Sequence, residues 1–203
     1  MEYKIMDKLH LGCGRNYLDG WINTDIDPKR YKLDQRLDIT KSFPYEDNTI
    51  SYIFSEHVIE HIDYKGGKFM LEECYRVMKP NGKIRISTPD LKFLIEFYTK
   101  NKTQLQKDYI NLSISHSAYD IDKYHCTDAF IINNFVRAWG HLFIYDKETL
   151  TNLFTEIGFK NVNSYNICES EDENLRDLEN VTDPKRPSKK FLQFETFTLE
   201  ATK

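Results

Sequence analysis

The sequence predicts an α/β protein with a mostly parallel sheet and helices on both faces. Three observations predict it. Short apolar runs alternate with segments whose apolar residues recur at helical spacing. The first run, Leu9 and Leu11, ends in a Gly12-Cys13-Gly14 turn, and the next, Trp21 and Ile22, ends in two acids, Asp25 and Asp27. The last two runs are patterned to pair antiparallel at a sheet edge. With 203 residues, 40 % of them apolar, one domain with a real core is expected.

The first strand covers residues 8–11. In open α/β sheets a ligand sits beyond the carboxyl ends of the strands, where Gly12 and Gly14 let backbone approach it without a Cβ in the way. A carboxylate after the second strand can accept hydrogen bonds from ribose hydroxyls. Nucleoside binding follows, but not the dinucleotide pattern GxGxxG, whose third glycine position is Tyr17. Only residues 15–20 separate turn and second strand, too few for an ordinary crossover helix, so a very short helix or a loop is expected.

A brief third strand at 35–37 runs into Asp38 and Ile39. After turn chemistry at Pro44, Asp47 and Asn48 comes a buried-type strand, 50–54. A helix over 65–78 presents Phe69, Met70, Cys74 and Val77 on one face and stops at Pro80-Asn81-Gly82. A strand at 83–87 and a helix at 90–99 follow. Periodicity weakens over 100–138, which predicts a long irregular insertion of the lid or binding-loop kind. Asp146 is an N-cap for a helix over 147–157, with Gly158 as its C-cap. Strands are expected at 161–168 and 191–201, with the charge runs 169–173 and 185–190 as solvated loop.

A net charge of -4 disfavours a nonspecific nucleic-acid binder. No apolar run nears the length of a membrane span and no signal-peptide core is present, so a cytoplasmic protein is expected. Cys13, Cys74, Cys126 and Cys168 form no CxxC pair, which predicts free thiols.

The series LHLGCG, NTDID, LDIT, FPYEDNTISYIFSEHVIEHI and VMKPNGKIRISTPDL resembles class I S-adenosylmethionine-dependent methyltransferases. The resemblance covers residues 8–91 closely, and GHLFIYDKETLTNLFTEIGFKNV is similar to the family's last helix and sixth strand. It implies a Rossmann-like, seven-stranded sheet with an antiparallel last strand. It also implies S-adenosyl-L-methionine as cofactor and S-adenosyl-L-homocysteine as product. In the implied cofactor site, Gly12, Cys13 and Gly14 lie beside the methionine part with His10, which stands where the family usually has an acid. Asp25, followed by Ile26, serves the ribose, and Asp38 with Ile39 the adenine. Ser55 and Glu56 complete the site after the fourth strand. The compact start resembles methyltransferases associated with polysaccharide or sugar-nucleotide biosynthesis, which implies a small-molecule acceptor such as a sugar.

The sulfonium already activates the methyl group, so the protein must align the reactants and take a proton from a hydroxyl or amine. Histidine suits that base role, with a pKa near 6.5. His57, just past the fourth strand, is the first candidate, against a helix-capping role. His141 is the second, against ordinary packing beside Trp139 and Tyr145. Glu60 and His61 are expected to orient His57 or support the strand rim. His57, Glu60 and His61 also spell HxxEH, the inverted zinc-protease pattern, which the nucleoside-binding frame disfavours. No metal is expected. Tyr109, Tyr119, Tyr124, Phe130 and Trp139 are candidates to line an acceptor pocket.

Overall fold

The computed structural model describes residues 7–115, 127–183 and 187–203. Its sheet has seven strands in the order β3-β2-β1-β4-β5-β7-β6. Strands β1 (Lys8–Leu11), β2 (Ile22–Asp25), β3 (Gln35–Arg36), β4 (Ile50–Glu56) and β5 (Met78–Pro89) are mutually parallel. β7 (Thr196–Thr202) lies antiparallel between β5 and β6 (Lys160–Tyr165). This is the expected Rossmann-like sheet with its antiparallel last strand. A loop, not a helix, joins β1 to β2, as the short spacing requires.

Helix α1 (Tyr64–Val77) starts where the Asp63 carboxylate accepts a hydrogen bond from Gly66 N–H, 2.7 Å away, satisfying one orphan donor of the first turn. It lays Met70, Leu71, Cys74 and Val77 on the sheet against Leu9, Ile53 and Ile84. Each large apolar side chain buried this way contributes about 1.5 to 3 kcal/mol. Helix α5 (Lys147–Ile157) packs into the same core through Leu150, Leu153 and Phe154. Its predicted caps both form: Asp146 accepts from Thr149 N–H at 2.8 Å, and Gly158 closes the helix at φ 112°.

Elsewhere the chain departs from the sequence reading. Pro80-Asn81-Gly82 does not precede β5 but bulges within it: Ile50 pairs with Met78 and Tyr52 next with Lys83, while Asn81 takes φ 65°. A Cβ on Gly82 would lie 2.9 Å from the Lys79 carbonyl, so the bulge needs glycine there. The helix expected over 90–99 ends early, as α2 (Leu91–Ile95).

The segment 100–138 is not irregular where it is described. It contains α3 (Gln104–Ser115) and α4 (Asp128–Arg137). The buried face of α3 is Gln106, Tyr109 and Ser113, two of them polar, so hydropathy periodicity does not show it. The last expected strand is also partly helical: Phe191 and Phe194 lie on α6 (Lys189–Glu195), three residues apart on one face. They pack with Phe93, Phe97, Tyr109 and Phe135 in a second aromatic cluster that joins α2, α3, α4 and α6.

The acidic excursion after β6 is not simply solvated loop. Asp172 pairs with Lys83 at 2.8 Å, while Leu175 and Leu178 are buried against Trp21 and Phe54. Arg85, fully buried on β5, is clamped by Glu179 at 2.7 Å and Glu200 at 2.5 Å. Removing one partner of such a buried group costs about 3 to 5 kcal/mol, so the loop is fastened to the sheet. Among the described residues, no helix is long and apolar enough to cross a membrane, and Cys13, Cys74 and Cys168 are buried free thiols.

Candidate active site

A cavity of about 520 Å³ opens at the carboxyl ends of β1, β4 and β5. That is within the roughly 300 to 1,000 Å³ of small-molecule sites. One end is the turn that leaves β1. Gly12 and Gly14 take φ 63° and 53°, conformations glycine adopts without steric cost. A Cβ on Gly14 would meet nothing within 4 Å, whereas one on Gly12 would lie 2.4 Å from Val58. Gly12 is therefore also needed for packing against the β4 side. The Asp25 carboxylate accepts hydrogen bonds from Gly14 N–H at 3.0 Å and Asp27 N–H at 3.2 Å, so it braces the turn. Burial, with Asp25 and Asp34 nearby, pushes the Cys13 thiol up to about 11 and keeps it protonated.

His10 lies in the cavity wall, almost wholly enclosed. Desolvation lowers its pKa to about 4, so the ring is neutral. Its tautomer follows from Asn23. The Asn23 amide nitrogen donates to the carbonyls of Leu18 and Trp21 and to Asp34, and its oxygen accepts from Leu18 N–H at 2.8 Å. The partner 3.2 Å from His10 Nδ1 is that oxygen, so Nδ1 carries the proton and Nε2 is left as an acceptor.

At the other end stand histidines. β4 ends at Glu56, and His57 follows with φ 53°, a left-handed conformation that costs a non-glycine residue about 1 to 3 kcal/mol and concentrates at functional sites. His57 N–H is bonded to the Ser87 carbonyl at 2.8 Å, its Nε2 lies 2.8 Å from Thr196 Oγ1, and its Nδ1 lies 3.6 Å from Glu60 Oε1. His57 caps neither the short 3-10 turn Ile59–His61, whose N-cap is Val58, nor α1, whose N-cap is Asp63. It precedes that turn instead of sharing a helix with His61, so HxxEH is not folded as two histidines on one helical face.

The histidine that approaches His61 is His141, with ring centroids 5.0 Å apart. Backbone pairing brings it there: Leu142 and Phe143 N–H both donate to the Glu60 carbonyl, at 2.8 and 3.2 Å. Burial depresses both imidazoles, His141 to about 4.

Of the sequence candidates, the cavity wall gathers His10, Gly12, Cys13, Gly14 and Glu56, and with them His57, Glu60 and His141. Asp25, Ile26, Asp38, Ile39 and Ser55 are not part of that wall. Asp38 binds Thr40 and Lys41 near the end of β3, Ile26 is exposed, and Ser55 is buried in β4. Tyr109 and Trp139 line the cavity and Phe130 does not, while Tyr119 and Tyr124 lie outside the described residues. Sequence reasoning missed Asn180 and Glu195. Asn180 N–H reaches the Glu56 carboxylate at 3.1 Å from the fastened acidic loop, and Glu195 accepts a short bond from the Tyr109 hydroxyl. Neither sits in a motif, and only the tertiary clamps bring them in.

A family model described as a methyltransferase domain matches residues 9–86, from β1 into β5. The matched stretch carries both the glycine turn and His57. Solved structures with the same fold include a SAM-dependent methyltransferase from Archaeoglobus fulgidus, with TM-score 0.54 and 18 % identity over 97 % of this chain and 85 % of that one. Another, from Mesorhizobium loti, has TM-score 0.54 and 12 % identity, covering 97 % and 90 %. A third is the Haloferax volcanii methyltransferase in complex with the Trm112 methyltransferase activator, with TM-score 0.53 and 12 % identity, covering 97 % and 82 %. At these identities the likeness is one of fold. No curated protein sequence matches the chain. The open side of Gly14 is compatible with close approach of a ligand to the backbone.

Proposed function

We propose that the chain is a single methyltransferase domain, residues 1–203, that moves a methyl group from S-adenosylmethionine to oxygen or nitrogen of a small acceptor, with a sugar as the leading class. The observation that carries this is the continuity of one cavity from the Gly12-Cys13-Gly14 turn to His57, His61 and His141. When bound, the cofactor supplies an electrophilic methyl group. Its methionine part belongs beside the glycine turn, where His10 Nε2 can accept a hydrogen bond from the ammonium in place of the usual acid. Asp25 keeps lone pairs beyond its two backbone bonds and can also serve the ribose, with Ile26 beside it. The adenine belongs near Asp38 and Ile39, and Ser55 and Glu56 support the site from β4.

The acceptor then lies between the β4 tip and α3 and α4, which act as the lid. Sugar rings stack on aromatic faces such as Trp139, and Asn180 and Glu195 offer polar partners for hydroxyls. His57 takes the acceptor's proton, with Glu60 close to its second nitrogen. The free thiols Cys13, Cys74 and Cys168 fit a reducing cytoplasm.

The test is turnover of a panel of sugars and sugar nucleotides, with calorimetric titration of S-adenosylhomocysteine. His57→Ala is expected to keep cofactor affinity and to lower turnover by roughly 100-fold or more, the usual size of a general-base contribution. Turnover that survives His57→Ala moves the base elsewhere. An inactive panel with intact cofactor binding removes the sugar reading.

A further inference from the structure

We propose that Glu60, His61 and His141 form a binding site for a divalent transition-metal ion at the acceptor end of the cavity. One ligand atom from each of the three lies within 4.8 Å of the other two. Metal bonds of about 2.0 to 2.2 Å put neighbouring ligand atoms about 3 to 3.5 Å apart, so closure takes side-chain adjustments of about an ångström.

The orientation of each group matches what a metal needs. His141 Nδ1 donates to the Phe135 carbonyl at 2.6 Å, which leaves Nε2 as the lone-pair nitrogen. His61 has Nδ1 on its Gly140 side, while Nε2 turns to Glu60 Oε1 at 3.9 Å. Metal-bound histidines commonly have the other ring nitrogen on a backbone carbonyl or carboxylate, which sets tautomer and ring angle. The carboxylate is held too, because Thr88 Oγ1 donates to Glu60 Oε2 at 3.1 Å, and Oε1 is the oxygen that faces the histidines.

Two imidazoles and one carboxylate from one side leave the remaining coordination positions open to the cavity that all three residues line. This donor set suits Zn²⁺, Mn²⁺, Fe²⁺ or Co²⁺, and disfavours Mg²⁺, which keeps oxygen ligands. It is not the HxxEH set. His141 replaces His57, whose Nε2 is engaged by Thr196. An oxygen of the acceptor would complete the shell, lowering its pKa beside His57; that step alone rests on the methyl-transfer reading, and metal binding does not.

The experiment is titration of chelator-treated full-length protein with Zn²⁺, Mn²⁺ and Co²⁺, following heat and the visible spectrum of bound Co²⁺. One equivalent per chain is expected. His61→Ala and His141→Ala should each weaken binding by more than about 100-fold, beyond what supporting residues are worth. His57→Ala should leave it within a few-fold. S-adenosylhomocysteine titration of every variant, with its melting temperature, separates a lost ligand from a lost fold. No stoichiometric binding of any of the three ions to the folded parent protein overturns the site. Unchanged affinity in both folded variants does the same, as does binding that requires His57 and tolerates His141→Ala. Stoichiometric metal binding without any methyl transfer would leave this site standing and remove the reading of turnover.

Discussion

The two ends of the cavity are built by different means. At the β1 end the wall is mainly backbone, a turn with two left-handed glycines in which Gly14 N–H is tied to Asp25 and Cys13 N–H to the Thr24 carbonyl. At the other end the wall is side chains: His57 and His61 just after β4, Tyr109 and Phe135 on α3 and α4, and Trp139 and His141 beyond them. A backbone wall is specified over a dozen consecutive residues. A side-chain wall exists only once distant helices have packed. On the proposed reading, the backbone end serves a cofactor common to many enzymes, while the side-chain end is free to change with the acceptor.

The sharpest way to break this contrast is at the glycines. Gly12→Val should abolish S-adenosylhomocysteine binding and also lower the melting temperature by roughly 4 °C or more, since the new Cβ meets Val58 and φ is left-handed. Gly14→Val has the same φ penalty and open space around the Cβ, so it should cost affinity with a smaller loss of stability. Equal melting losses, with binding intact in either, would show that the turn does not face the cofactor. Asp25→Ala should weaken cofactor binding by about 1 to 3 kcal/mol, because a charge-assisted bond and the brace on Gly14 are lost together. Calorimetry that finds unchanged affinity takes Asp25 out of the site.

The smallest effect on the site should come from Glu73→Gln, far from either wall. The Arg76 guanidinium, with Phe43 N–H and Ser42, holds the Glu73 carboxyl down at about 2, against 4.5 ordinarily. A depressed carboxyl stabilises the fold above its unfolded pKa, and that contribution fades as pH falls toward about 2. Urea unfolding should therefore show the variant less stable by about 1 to 2 kcal/mol at pH 7, converging on the parent near pH 2, with cofactor affinity unchanged throughout. A gap that persists at acid pH would mean that packing, not charge, is what Glu73 supplies.

The same division explains what the sequence discloses. The strands around Leu9 and Ile53, the caps Asp146 and Gly158, and the glycine turn are local features, and each forms as expected. α6 was hidden because Phe191 and Phe194 alternate well enough for a strand, and only the aromatic cluster they join selects the helix. α3 was hidden because its inner face includes Gln106 and Ser113, whose burial is tolerable only with partners such as the Glu96 carbonyl for Gln106. His141 was legible as a histidine near the site but not as the neighbour of His61, since the pairing of residues 142 and 143 with the Glu60 carbonyl spans some eighty residues of chain.

The strand latest in sequence fills the gap between β5 and β6, pairing with β5 along seven residues from Lys83 to Pro89. Until residues 196–202 leave the ribosome, β5 has an open edge and β6 no partner in the sheet. A long unpaired edge recruits other strands, so the nascent chain is at its most aggregation-prone just before synthesis reaches β7. Folding of the sheet is then a closing event, paced by the arrival of this strand, and cannot be completed from the front.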